Sequence, residues 1–417
     1  MRHSLLILMM WLLTGLQCVL TAQQSHAVVI EGRVVDMATS RRLPNAQVHV
    51  SGSQVATMSN ADGRFSLRLD SLPEWIEVSA VGYGNVQVLR SSLERAHGNG
   101  EHRYELRAEM WPRVTVLKDV MVYSPENILQ AALDRIEKNF PLEPQSYEAF
   151  YRETIRKRSH YVSVSEAVVD LYKTGYDHGP ERDVVAVRKG RSLMSQRAKD
   201  TLSVHVMGGP RESLIIDLVK NRDMLLCPAQ LNLYHLQIET PQTINDRPQY
   251  VIAFTPAYVM EEPLSYGRIF IDHQTLTFTR IEYSLDVSDP DKASRVILAK
   301  KPLGMRFHPR GLNVVMNYHY DGHLSHLSYM RVEYLFDCDW KRRGLHTRYE
   351  AVSEMLVTDI RQEAVRPAKK ETFREYEILG RELADFSDPD FWADYNILLP
   401  SESLEHAFRK LKKTYAK

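Results

Sequence analysis

Between residues 147 and 355 the chain is a succession of short runs rich in Tyr, Val, Ile and Phe, separated by turn residues. No other feature constrains the fold as much. The runs cover 147–157, 161–172, 182–193, 233–239, 250–255, 268–272, 277–285, 314–320, 328–336 and 345–355. Parallel pairing would require a crossover helix between successive strands, and no such helical pattern recurs, so one large antiparallel sheet is expected. Asp321-Gly322, between Tyr320 and His323, predicts a two-residue hairpin, and Asp272-His273-Gln274-Thr275 a longer turn. Both faces of 147–157 and 161–172 carry apolar and polar groups. One face is therefore expected to pack helices and the other to serve as a binding surface. A short helix is expected over 212–219. A terminal one is expected over 401–415, where Leu404, Phe408, Leu411 and Tyr415 share a face and Lys410, Lys412 and Lys413 come late, as the helix dipole favours.

The region 28–108 repeats the strand pattern on a smaller scale. Ile30, Gly32 and Val34 alternate with polar neighbours, as do Ala46, Val48 and Val50, then Phe65, Leu67 and Leu69, then Ile76, Val78 and Ala80. Side chains two apart share a strand face, so these sets predict one core in a small antiparallel sandwich. Leu43-Pro44-Asn45-Ala46 bends the chain; Asn60-Ala61-Asp62-Gly63 offers an Asx turn and a glycine for positive φ. Asp62 is read as turn chemistry, because a calcium loop would need further oxygen ligands.

These residues carry a resemblance. Gly32-Arg33-Val34-Val35-Asp36, Leu43-Pro44-Asn45-Ala46-Gln47-Val48, Asp62-Gly63-Arg64-Phe65 and Val78-Ser79-Ala80-Val81-Gly82-Tyr83, in that order, resemble the carboxypeptidase regulatory-like domain. The resemblance implies a transthyretin-like or Ig-like β-sandwich in an envelope protein of diderm bacteria, with an accessory, non-catalytic role. Residues 250–256, 267–272 and 275–282 are similar to the strand and turn pattern of periplasmic lipoprotein carriers, which implies a curved sheet around helices. Asp390-Phe391-Trp392-Ala393-Asp394-Tyr395-Asn396 resembles the tail of uncharacterised envelope proteins that carry the regulatory-like domain.

Residues 109–144 join the two parts. Residues 117–122 are expected to form a last strand or crossover. Ser124-Pro125-Glu126 then opens a helix with Ser as N-cap, and Ile128, Leu129, Ala132, Leu133, Ile136 and Phe140 form its apolar stripe up to Pro141.

Ahead of the sandwich, Arg2 precedes an apolar run over residues 5–16, the pattern of a secretory signal too short to span a bilayer. Cleavage is expected after Ala22, with Ala27 as the alternative. Gln17 before Cys18 does not suit lipidation. Four segments follow: signal peptide 1–22, sandwich 28–108, linker and helix 109–144, and a large β domain 145–417. The expected class is mainly β, a sandwich followed by an α+β domain. No later run is long enough for a membrane span. Cleavage leaves Cys227 and Cys338, which could form one disulfide or remain two thiols. Lys plus Arg equals Asp plus Glu at 53 each, so there is no global attraction to nucleic acid.

Catalytic motifs are sparse. His102-Arg103-Tyr104-Glu105 has the spacing of a zinc carboxypeptidase pair but falls in a strand, where residues three apart face opposite ways. His319, His323 and His326 form the densest histidine cluster. If Tyr320 pairs with His323, then His319 lies opposite Leu324 and Asn317 opposite His326, which puts His319 and His326 on one face and turns His323 away. Ordinary polar surface is the expectation there. Gly-x-Ser-x-Gly and His-Glu-x-x-His do not occur, and Gly208-Gly209-Pro210 is expected to be a turn. The basic and aromatic residues of 151–158 suit a polyanion or glycan, but are expected to be a solvated edge strand with gatekeeper charges.

The expected function is that of a non-enzymatic exported envelope protein, a ligand- or partner-binding module in the periplasm or at the outer membrane, with no cofactor, catalytic residue or metal ligand assigned. Its expected partners are an envelope protein, a lipid or a glycan. Two alternatives make structural demands. A lipid or lipoprotein carrier needs a dry cavity between sheet and helix, and a hydrolase needs a pocket where titratable groups converge.

Overall fold

The computed structural model describes residues 27–96, 102–113, 124–197, 205–206, 209–340, 345–361, 363–374, 377, 379–381, 383, 388 and 390–415. The expected signal peptide and the strand expected at 117–122 lie outside them.

The sandwich forms as its alternation dictates. Its strands are β1 (Val28–Asp36), β2 (Gln47–Val50), β3 (Ala56–Met58), β4 (Arg64–Leu69), β5 (Trp75–Ser79), β6 (Val86–Leu89), β7 (Glu94–Arg95) and β8 (His102–Met110). They make two four-stranded sheets, ordered β4-β1-β8-β7 and β3-β2-β5-β6. Ile30, Val34, Val48, Phe65, Leu67, Ile76 and Val78 are all fully buried between them. Gly32 sits opposite Phe65, and a Cβ there would come within 2.1 Å of the phenyl ring, so the ring occupies the space a side chain would need. One pairing departs from the antiparallel expectation. β8 lies parallel to β1, because β7, the strand before it in the same sheet, runs antiparallel to β8 and so against β1. The turn at Asn60 is as expected: its Oδ1 accepts from the N–H groups of Asp62 and Arg64, and Gly63 adopts a φ of 69°.

The expected helix after Ser124 is split. Ser124 Oγ accepts from Asn127 N, and α1 (Pro125–Leu133) and α2 (Ile136–Asn139) are separated at Asp134 and Arg135. Arg135 and Asn139 both donate to the Thr275 carbonyl, which fixes the second piece against the sheet.

The remaining strands are β9 (Gln145–Lys157), β10 (His160–Lys173), β11 (Val184–Met194), β12 (His205–Val206), β13 (Tyr234–Ile244), β14 (Arg247–Pro256), β15 (Ser265–Asp272), β16 (Phe278–Leu285), β17 (Leu298–Lys300), β18 (Met305–Tyr320), β19 (Ser325–Trp340) and β20 (Leu345–Ile360). All ten expected runs appear in one antiparallel sheet, ordered β11-β10-β9-β20-β19-β18-β16-β15-β14-β13. β12 and β17 pair separately. The remaining helices are α3 (Pro210–Ile215), α4 (Pro228–Leu231), α5 (Pro290–Ile297) and α6 (Glu402–Tyr415). Among the described residues no helix is long and apolar enough to cross a membrane.

Two corrections follow from the strand order. β9 is not a solvated edge, since β10 and β20 flank it and Arg152 is buried in an ion pair with Glu166 at 2.9 Å. Nor is the second sheet face open over these strands. Tyr147, Ala149 and Tyr151 point into the main core with α1, α2 and residues 214–226, while Phe150 points the other way and packs with Met58, Trp392 and Leu398. The sandwich and the chain's last described segment therefore cover that face. Cys227 and Cys338 are free thiols, and burial beside Asp337 and Asp339 pushes the Cys338 thiol up to about 12.

Candidate functional site

The β18–β19 hairpin does not turn as its sequence suggests. Tyr320 pairs with Ser325 and His319 with His326, leaving Asp321 to Leu324 as a four-residue turn. The cause is the Asp321 side chain, whose Oδ1 accepts from the N–H groups of both His323 and Leu324 at 2.8 Å. A two-residue turn would forgo that pair of bonds. The expected shared face of His319 and His326 is nevertheless retained, because the two are directly opposite one another.

This hairpin forms one wall of a cleft of about 970 Å³. The sandwich forms the other, through the β2–β3 turn and β5. On β5, Ile76 and Val78 point into the sandwich core, so Trp75 and Glu77 share the opposite face and line the cleft. The end of β20 contributes Asp359, and Arg361 follows just past it. Arg247 lies with its guanidinium carbon 5.3 Å from the Tyr320 ring and pairs with Asp272 at 2.8 Å.

Histidines from both modules meet here. The His49 and His319 rings stack at 3.6 Å with planes 15° apart. Burial lowers both, His49 well below the ordinary imidazole value and His319 to about 4, and the two rings are neutral near pH 7. The Nδ1 of His319 is buried without a hydrogen-bond partner among the described residues. His326, only 5% exposed, is occupied on both sides: Nε2 lies 3.5 Å from Asp321 Oδ2, and Nδ1 lies 3.2 Å from the Tyr147 hydroxyl. Burial works to raise the Asp321 carboxyl, but the His326 contact and the two backbone N–H bonds hold it below the usual range. Burial raises Glu77, helped by Asp246, and raises Asp359. The cluster is therefore not ordinary polar surface: titratable groups do converge in one cleft.

Asp321, His326 and Tyr147 form an acid–imidazole–hydroxyl chain, but the Tyr147 hydroxyl donates to Gln145 Oε1 at 2.7 Å and so meets His326 Nδ1 as an acceptor, the reverse of the proton path in a catalytic triad. Its third member does not suit nucleophilic attack. Tyr147 is buried, and burial with the fields of Asp217, Asp183 and Asp321 pushes its phenol far above the ordinary value. His102 and Glu105 sit three apart on β8. Among the described residues no group of three or more His, Cys, Asp or Glu side chains is placed to hold a metal ion. Of the cleft residues, sequence reasoning singled out His319 and His326. It missed His49, Trp75, Glu77 and Asp359, whose approach depends on how the sandwich docks.

Comparison with known proteins bears on the sandwich. Residues 30–99 match the CarboxypepD_reg-like domain. The regulatory-like module thus supplies the cleft wall that contains His49, Trp75 and Glu77. No curated protein matches the chain. Among solved structures, a DUF1329 family protein from Desulfovibrio piger shares 13% identity over 59% of this chain and 96% of its own, with a TM-score of 0.24. A protein of unknown function from Bacteroides fragilis shares 9% over 80% of this chain and 98% of its own, with a TM-score of 0.17. At such scores neither likeness informs the fold or role of this chain.

Proposed function

We propose that this protein is a non-catalytic binding module exported to the cell envelope, and that its ligand is a hydroxyl-rich molecule of the glycan class held between the regulatory-like sandwich and the large sheet. The observation that carries the proposal is the cleft itself, whose two walls come from different modules and place Trp75 beside Glu77 and opposite the Tyr320 hairpin. An indole face stacks on the apolar face of a sugar ring, while carboxylates and backbone carbonyls accept its hydroxyl hydrogens. Charges of both signs line the cleft, which does not favour a polyanion. The engaged state of His326 and the stacking of His49 on His319 support binding over turnover. The apolar run at the N-terminus supports export.

A carrier would need space where α1 and α2 lie, and Ile128, Leu129, Ala132, Ile136 and Phe140 are buried there against the sheet. Native mass spectrometry of protein purified from its own cell envelope, followed by titration of the stripped protein with peptidoglycan-derived oligosaccharides, tests the proposal. Expected are a sugar-sized adduct and quenching of tryptophan fluorescence, with affinity at least ~10-fold weaker in Trp75→Ala, in line with the cost of an aromatic anchor. A copurifying lipid, hydrolysis of the oligosaccharide, or identical titrations for both proteins would refute it.

A further inference from the structure

A second cleft, of about 310 Å³, lies at the far end of the β9–β10 hairpin, where α6 crosses it. Two basic segments that look unrelated along the chain converge here. Arg156 comes from the aromatic and basic run of β9, and Lys410 from the basic end of α6. Arg197, just past β11, adds a third permanent charge, and His160 and His406 stand beside them. No carboxylate lines this cleft among the described residues. Arg156 is partly neutralised by Glu350 at 3.2 Å, whereas neither Arg197 nor Lys410 has an ion-pair partner among the described residues. Three hydroxyls, those of Ser159, Ser195 and Ser403, complete the polar lining. The floor is apolar: Tyr161, over which the Arg156 guanidinium sits at 5.3 Å, together with Ala407 and Leu411.

We infer that this cleft is a separate binding site for the phosphate-type group of a small anionic ligand, whose apolar part rests on Tyr161 and Leu411. Guanidinium and ammonium groups arranged around hydroxyls, with no carboxylate in the lining and only Arg156 paired to one outside it, match the several acceptor oxygens of a phosphate ester. The volume is at the small end for ligand sites, so it suits a headgroup or a phosphorylated small molecule and not a whole acyl chain. The helix dipole accounts for basic residues late in α6, but not for Arg197 and Arg156 facing them from other elements. The site is independent of the Trp75 cleft, and the Trp75→Ala protein serves as a control that leaves it unchanged.

The test uses the full mature chain in a phosphate-free buffer. Calorimetric titrations with inorganic phosphate and with glycerol 3-phosphate are run beside flotation with vesicles of phosphatidylglycerol or of phosphatidylcholine. The expected result is binding of at least one anionic probe, weakened by added salt and at least ~10-fold by Arg197→Glu with Lys410→Glu, both exposed positions. Binding of soluble phosphates identifies a free phosphorylated ligand, and binding confined to phosphatidylglycerol vesicles identifies a lipid headgroup. Either supports the site. Absence of binding to every anionic probe, equal binding to phosphatidylcholine, or binding unchanged by the double substitution overturns it.

Discussion

Asp217 has no exposure and accepts three hydrogen bonds, from Lys173 at 2.7 Å, Tyr176 at 3.0 Å and Tyr318 at 2.7 Å. Lys220, equally enclosed, pairs with Asp183 at 2.8 Å. Burial alone would raise the Asp217 carboxyl, but Lys173 and the two phenols hold it below the usual carboxylate range. Removing one partner of a buried pair leaves the other charge uncompensated, at a cost of about 3–5 kcal/mol. Asp217→Ala should lose that much in urea unfolding, and a loss under about 1 kcal/mol would show that the network is not a stabilising unit. Nothing local in the sequence marks Asp217, because its partners lie 41 to 101 residues away. The stacked histidines give a second, pH-dependent prediction. A base whose pKa falls on folding makes the unfolded chain the stronger proton binder, so stability declines as pH drops. For His319 the loss begins near the unfolded value of about 6.5 and levels off near about 4. Its size is on the order of 2 kcal/mol, discounted because the ring keeps some solvent contact. The difference in stability between wild type and His319→Gln, measured at pH 7 and again at pH 4.5, isolates this term from the carboxylates. A difference that does not change with pH would contradict it.

At the scale of elements, the last described segment behaves as a strap. Trp392 Nε1 donates to Glu166 at 3.1 Å and its ring meets Phe150 edge-on at 5.6 Å. Asn396 then pairs with the backbone of Arg68 on the sandwich edge, accepting at 2.8 Å and donating at 3.0 Å, as a neighbouring strand would. Trp392→Ala removes a large buried ring and the donor to a buried carboxylate, so a loss of about 3–5 kcal/mol is expected. Asn396→Ala should cost about 1 kcal/mol, since the half-buried edge of β4 can turn to water. Equal losses from the two would mean that the ring is not the anchor. The strands of the sheet were legible because alternation is a local signal with period two, and β14 or β19 could be placed to within a few residues. The strap was not, although 390–396 stood out as a motif, because its partners are 226 and 328 residues distant. The hairpin register failed for a different reason. Asp-Gly favours a tight turn, but Asp321 can satisfy two N–H groups only in the wider one.

For the whole molecule, the sandwich is less a separate bead than its family resemblance suggests. Met58 from β3 is 1% exposed and packs with Phe150, Tyr329 and Leu356 of the large sheet. Asn60 donates to the Pro400 carbonyl at 2.9 Å, Arg64 pairs with Glu405 at 2.9 Å, and Asp62 accepts from Glu402 N at 2.6 Å at the start of α6. The Asx turn thus also caps the terminal helix, a role for Asp62 that turn chemistry alone does not require. Inter-domain contacts within a chain are usually polar and permit relative motion, whereas a buried apolar anchor ties the stability of one unit to the other. Calorimetric unfolding of the protein should therefore show one transition covering both modules. Met58→Asp puts a charge into the shared core and should split that transition, with the sandwich and the large sheet melting separately, while Arg64→Ala, at a half-exposed pair, should only shift it slightly. Two transitions in the unmodified protein would mean that the sandwich docks without coupling, and the cleft between the modules would then be free to open.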